Sequence, residues 1–225
     1  MTPGRDVMSC WKKIPMSETQ AVVFVIDDDI SVREGLTDLL RSIGLGVEAF
    51  DSTQAFLDRK RPDVPGCIVL DLRLPGRSGL EFQQTLSKLD IQLPVIFISG
   101  HGDIPISVRA IKSGAIEFLT KPLDEQEVLD AVQAGIERDG ARRQEAALIT
   151  QLNARFDSLT EREREIMSLV IAGNLNKQIG FDVGLSEMTV KVHRSHVMQK
   201  MRAKSLVDLV RMADRLGVTK TKPKS

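Results

Sequence analysis

The chain has 225 residues, 42% of them hydrophobic, enough for two modest cores or one large one. Its two cysteines, Cys10 and Cys67, exclude a disulfide framework, and no apolar stretch reaches membrane-spanning length; Trp11-Lys12-Lys13 and Pro15 interrupt any secretory h-region, so a reduced, cytoplasmic protein with no membrane partner is expected. A formal net charge of zero argues against a nucleic-acid partner until the chain is divided: residues 1–140 hold 15 Lys+Arg against 22 Asp+Glu, net −7, and residues 141–225 hold 16 against 9, net +7.

In chain order, residues 1–20 read as a disordered extension, with Met16 as good a start as Met1. Four apolar runs of strand length follow, and each ends in polar residues. Val22-Val23-Phe24-Val25-Ile26 ends in Asp27-Asp28, Cys67-Ile68-Val69-Leu70 in Asp71, Pro94-Val95-Ile96-Phe97-Ile98 in Ser99, and Ile116-Glu117-Phe118-Leu119-Thr120 in Lys121. Helix-length segments separate them, which predicts a βαβ series and an open parallel α/β sheet. Ser31 is placed to cap a first helix with Val32, Leu36, Leu39, Leu40 and Ile43 at helical spacing, stopped by Gly44; Gly79–Leu89, Ile104–Lys112 and Asp124–Ile136 are the later helices.

Ligands in such sheets bind beyond the carboxyl ends of the strands, so three carboxylates, a hydroxyl and a lysine converge on one rim. Singly, each is an ordinary turn, cap or loop residue. Together they have a coherent chemistry: crowded aspartates are relieved by a hard cation such as Mg²⁺, a carboxylate beside it can attack phosphorus, and Ser99 and Lys121 can hold the phosphoryl oxygens.

Residues 21 to about 138 resemble the receiver domain of two-component response regulators. The resemblance rests on Val25-Ile26-Asp27-Asp28-Asp29, Val69-Leu70-Asp71-Leu72-Arg73-Leu74-Pro75-Gly76-Arg77-Ser78-Gly79, Ile98-Ser99-Gly100-His101-Gly102-Asp103 and Phe118-Leu119-Thr120-Lys121-Pro122. It implies a flavodoxin-like (βα)5 fold with Asp71 as the phosphoacceptor. Asp28, Asp71 and the Arg73 backbone carbonyl would bind Mg²⁺, with Asp27 acting mainly through a metal-bound water, and Ser99 and Phe118 would form the switch. Asp29 is expected to cap the first helix rather than join the site. Leu123 stands where Phe is frequent in the family, and the chain has no Tyr, so the switch aromatic is Phe118.

Residues 139–157 read as a helical linker, with Asp139-Gly140 as its bend. Beyond it, Thr160-Glu161-Arg162-Glu163 is a capping box with Ile166, Leu169 and Val170 on one face. A second helix is predicted over Leu175–Phe181, a turn at Gly184, and a third helix over Glu187–Met201 capped by Ser186: the frame of a helix-turn-helix reader. The third helix is basic, as groove entry requires. His193 and His196 lack Cys or carboxylate partners at ligand spacing, which argues against zinc.

The segments Leu159–Ile166, Gly173–Ile179 and Leu185–Arg194 resemble the LuxR-type DNA-binding domain, an all-α four-helix unit over residues 158–218, with a basic tail at 219–225. The order of the two domains is similar to that of FixJ-type regulators. The resemblance implies that Asn176 and Lys177 touch phosphates and that Thr189, Lys191, Val192, His193, Arg194, Ser195 and Lys200 face the major groove. It implies a sensor histidine kinase, promoter DNA and RNA polymerase as partners, homodimerisation on phosphorylation, and transcriptional activation as the output. It implies no enzyme beyond the receiver's own phosphotransfer and dephosphorylation. Gly180 replaces the family's usual Ala, so its helix is expected to be frayed or shortened. A Mg²⁺-dependent phosphohydrolase with Asp71 as nucleophile and a receiver-only phosphorelay adaptor are the alternatives.

Overall fold

The structure, a computed structural model, describes residues 20–100, 110–111 and 114–218. The N-terminal extension, the loop and helix expected over 100–113 and the basic tail lie wholly or mostly outside these residues. Two compact units divide between Arg143 and Gln144.

In the first unit, five parallel strands, β1 Val22–Ile26, β2 Gly46–Phe50, β3 Gly66–Asp71, β4 Val95–Ser99 and β5 Glu117–Thr120, stand in the order β2-β1-β3-β4-β5. A two-residue antiparallel ladder, Arg73–Leu74 with Arg77–Ser78, follows β3. Side chains alternate across a strand, and β1 shows the result: Val23 and Val25 join one core with Leu36 and Leu40 of helix α1 (Ile30–Ser42). Phe24 and Ile26 join the other, with Phe56 of α2 (Thr53–Asp58) and Phe82 and Leu86 of α3 (Gly79–Lys88). Both faces are covered, so the central strands are continuous apolar runs. Phe24, Phe50 and Phe82 each meet Phe56 edge-on, with centroids 5.4, 5.7 and 5.9 Å away.

Asp29, not Ser31, is the N-cap of α1: its carboxylate accepts the Ser31 N–H at 2.8 Å. Ser31 lies already inside the first turn, where its own N–H needs an acceptor. The helix that starts at Glu125 does not break at Asp139-Gly140; α4 runs unbroken from Glu125 to Asp157. Asp139 is fully buried and holds the Gly66 N–H at 3.1 Å, the Arg142 Nη2 at 2.6 Å and the Arg143 Nε at 2.7 Å. A residue that favours turns in isolation is thus fixed in a helix by its tertiary partners.

The second unit holds α5 (Glu161–Ile171), α6 (Asn176–Val183), α7 (Glu187–Met201) and α8 (Leu206–Arg215), around Ile166, Met167, Val170, Ile179, Val190, Val197, Met201 and Leu209. The capping box is formed in both directions, Thr160 Oγ1 accepting from the Glu163 N–H and Glu163 Oε2 from the Thr160 N–H. Gly184, at φ +68°, ends α6 in the left-handed region, and the Ser186 hydroxyl caps α7. Gly180 neither frays nor shortens α6. It is buried, and a methyl group there would stand 2.7 Å from the Leu185 carbonyl oxygen, so the missing side chain lets the turn into α7 pass close by.

Candidate functional site

The register of the sheet assembles the site. Ile26 pairs with Leu70, so Asp27 and Asp71 are the next residues on neighbouring strands; Asp71 pairs with Ile98, just before Ser99; and Ser99 pairs with Thr120, just before Lys121. Lys121 Nζ lies 2.8 Å from Asp27 Oδ2 and 3.1 Å from Asp71 Oδ2. The remaining oxygens take backbone donors: Asp27 Oδ1 accepts the Asp29 N–H at 2.8 Å, and Asp71 Oδ1 the Arg73 N–H at 3.2 Å. Ser99 is buried, and its carbonyl accepts the Lys121 N–H at 2.7 Å. Asp28 is exposed and Phe118 half-buried against the core that contains Phe97. Gly79 is required beside the site, because a methyl group there would come within 2.8 Å of the Asp71 carbonyl oxygen and 3.0 Å of the Phe97 ring.

Burial pushes the Asp27 carboxyl above its ordinary value, outweighing the Lys121 hydrogen bond and the Asp29 N–H, while the nearby Asp71 charge pushes the same way. Burial disfavours the charged form of Lys121, yet its hydrogen bonds to Asp27 and Asp71 prevail and raise it, so the ammonium stays charged. Asp27, Asp28 and Asp71 each offer one carboxylate oxygen, all within 4.8 Å of one another. This all-oxygen set fits a hard divalent cation such as Mg²⁺.

One residue near the site was not anticipated. Arg33 of α1 donates from Nη1 to the Asp27 main-chain carbonyl at 2.7 Å, fixing the backbone on which the acidic pair stands. Its only signal in the sequence is a cation one helical turn past Asp29.

In the second unit, Lys191, Val192 and Ser195 are exposed on α7 and Lys177 on α6. Of the other residues expected to face DNA, Asn176, Thr189, Arg194 and Lys200 have protein partners. Arg194 donates to Asn176 Oδ1 at 3.1 Å, the Thr189 hydroxyl lies 2.8 Å from that of Ser186, and Lys200 Nζ is 2.6 Å from Glu163 Oε2. His193 is half-buried. Hydrogen bonds to Lys200 and Thr160 hold the buried Glu163 carboxyl below its usual range, against burial, which is the largest influence and acts the other way. The expectation that His193 and His196 lack a carboxylate partner is overturned: Glu163 reaches them from α5, a contact that spacing within one helix cannot reveal.

The comparisons agree with this geometry. Residues 23–133 match the family described as "Response regulator receiver domain", and residues 157–213 the family described as "Bacterial regulatory proteins, luxR family". Nodulation protein W of Bradyrhizobium diazoefficiens is 52% identical over 203 residues, covering 90% of this chain and 89% of that protein. Response regulator protein TodT of Pseudomonas putida is 45% identical, covering 89% and 88%. Among solved structures, the response regulator StyR superposes with a TM-score of 0.79 at 49% identity, over 88% of this chain and all of that one. Full-length FixJ from B. japonicum gives 0.55 at 39%, over 88% and 98%. The chain therefore belongs to the FixJ-type response regulators, DNA-binding transcription factors in which a phosphorylation-switched receiver domain precedes a luxR-family domain.

Proposed function

We propose that Asp71 is the phosphoacceptor of a cytoplasmic transcriptional activator and that a sensor histidine kinase supplies the phosphoryl group. The observation that carries this reading is the Lys121 ammonium, bound at once to Asp71 and Asp27 at the carboxyl ends of three strands. An Asp71 oxygen attacks phosphorus as the bond to the donor nitrogen breaks, and Lys121 and Ser99 hold the phosphoryl oxygens. Asp27, Asp28, Asp71 and the Arg73 carbonyl would hold Mg²⁺, which supplies charge neutralisation. The same groups, with water as nucleophile, give slow self-dephosphorylation.

Ser99 and Phe118 form the switch in this reading. Once Ser99 and Lys121 follow the phosphoryl group, Phe118 turns inward, and the surface at residues 117–127 becomes part of a homodimer contact; the neighbouring segment 104–113 lies mostly outside the described residues. Of the linker expected over 139–157, residues 139–143 belong to the receiver unit, and the rest of α4 leads on to the DNA-binding domain, residues 158–218. Two such domains would then occupy half-sites about one helical turn apart and present RNA polymerase with a promoter-bound dimer. Lys191, Val192 and Ser195 are the best-placed base readers, with Lys177 on a phosphate; Asn176, Thr189, Arg194 and Lys200 would act in concert with the partners they already hold, and the half-buried His193 from beside them.

The test is acetyl phosphate with Mg²⁺, read on phosphate-affinity gels, and beryllofluoride with Mg²⁺, read by sedimentation velocity. Asp71→Asn should abolish the shifted band, and wild type should move from monomer to dimer, less so in Phe118→Ala. An Asp71→Asn protein phosphorylated at the wild-type rate refutes the acceptor. An unchanged molar mass with increased DNA affinity refutes the dimer.

A further inference from the structure

A second group of metal-ligating side chains lies in the luxR-type unit. Glu163 of α5 and His193 and His196 of α7 each present one ligand atom, and the three lie within 4.8 Å of one another. The carboxylate is divided between two tasks. Oε2 accepts the Thr160 N–H at 2.8 Å and Lys200 Nζ at 2.6 Å, whereas Oε1 faces His196 Nδ1 at 3.7 Å. His193 Nδ1 is buried and has no hydrogen-bond partner among the described residues. A buried nitrogen of this kind calls for an explanation, and a bound ion is one.

We propose that Glu163, His193 and His196 form a site for a borderline transition cation, Zn²⁺ above all, that ties α5 to the helix carrying Lys191 and Arg194. Two imidazole nitrogens and one carboxylate oxygen make a known three-ligand zinc set with an open fourth position. Donors about 2.1 Å from a tetrahedral ion stand roughly 3.4 Å apart, so the 3.7 Å gap between Oε1 and Nδ1 needs to close by a few tenths, and the separations to His193, within 4.8 Å, by at most about 1.4 Å. The Thr160 N–H and Lys200 fix the carboxylate from its other side, the role of an outer partner in metal sites. The Lys200 ammonium repels any dication, which selects against ions held by charge alone, such as Mg²⁺, and for ions with a real preference for imidazole. The proposal is independent of the receiver chemistry, because it shares no residue with it.

The experiment uses the full chain in excess Mg²⁺, which occupies the all-oxygen receiver site, with Cys10→Ser and His101→Asn introduced to remove other soft ligands. The chain has three histidines, so His193 and His196 are then the only two. Zn²⁺ affinity is measured by competition with a chromophoric chelator, and nitrogen ligation by electron paramagnetic resonance with Cu²⁺. One Zn²⁺ per chain and coupling to imidazole nitrogen are expected. Either His196→Asn or His193→Gln should weaken binding by roughly 100-fold, at least the loss seen for an outer partner. The His196 side chain is 52% exposed, so His196→Asn should fold normally and decides the matter alone if His193→Gln unfolds. Zn²⁺ affinity unchanged in His196→Asn, or Cu²⁺ bound without nitrogen coupling, overturns the site.

Discussion

Asp139 ties α4 to the start of β3 through a buried carboxylate, and its removal should be felt across the receiver unit. Its carboxylate is fully buried, accepts from the Gly66 N–H at the start of β3, and takes three contacts from Arg142 and Arg143. Arg143 also reaches Asp63 in the segment that leads into β3. Asp139→Ala would leave the Gly66 N–H buried without an acceptor, a cost of about 1–3 kcal/mol. The arginines are 37% and 28% exposed and can turn to water, so loss of their charge-assisted bonds adds less than the full cost of breaking a buried pair. Together these give about 2–4 kcal/mol for Asp139→Ala, and about 1–2 kcal/mol for Asp139→Asn, which keeps an acceptor for Gly66.

For a unit of this size such losses correspond to a fall in Tm on the order of 10 °C for the alanine variant and about half that for asparagine. Calorimetry of the full chain should show the receiver transition moving while the luxR-type transition stays, and hydrogen exchange at Gly66 and Cys67 should quicken. If both variants unfold within about 0.5 kcal/mol of wild type, the ion cluster is a solvated surface feature and the argument fails.

Cys67 is fully buried and burial pushes its thiol well above the ordinary range, with Asp139 adding to the shift; in a Cys10→Ser protein it should stay inert to a thiol reagent until denaturant unfolds the receiver, and rapid native labelling would contradict this burial. Gly79→Ala should destabilise the receiver by about 1–3 kcal/mol and slow phosphorylation from acetyl phosphate, since its methyl group must displace the Asp71 carbonyl or the Phe97 ring; a normal rate and stability would mean that the loop relaxes freely. Lys191→Ala should weaken promoter binding by about 1–3 kcal/mol if the lysine reads a base, and reduce the salt slope by about one if it meets a phosphate, with Tm unchanged in either case. Arg194→Ala should lower Tm as well, because Arg194 ties α7 to Asn176; affinity and Tm moving in parallel for both variants would contradict the distinction.

The strands that build the site were legible because their positions are determined locally. A strand covered on both faces is an unbroken apolar run, and polar residues at its end mark the rim. Strand β2 was expected only through the family resemblance, because Gly46-Val47-Glu48-Ala49-Phe50 is an edge strand with half-exposed residues and hence a weak apolar signature. Asp139 and Gly180 were misread for the opposite reason. Their intrinsic preferences, for a turn and against a helix interior, are overridden by packing: Asp139 is held by the Gly66 N–H and two arginines, and Gly180 leaves room for the Leu185 carbonyl of the following turn. The Glu163 contact with His193 and His196 escaped in the same way: periodicity assigns a residue to a face and does not name what that face meets.

The receiver's charge arrangement explains why an ammonium, rather than a hydroxyl or an amide, stands after β5. Three carboxylates around one lysine leave excess negative charge, and burial has already pushed Asp27 toward its neutral form. Lys121 divides its charge between Asp27, at 2.8 Å, and Asp71, at 3.1 Å. A phosphoryl group on Asp71 would add about two negative charges on that side and give the ammonium a stronger partner than Asp27. The Lys121 backbone N–H is bonded to the Ser99 carbonyl across the ends of β4 and β5, so any movement of that backbone would be shared by both strands. The same short bond would carry the movement into β5, where Phe118 is only half-buried and has room to turn. A lysine shared between two acids would then act as a sensor, since a stronger partner on one side would draw it from its resting position.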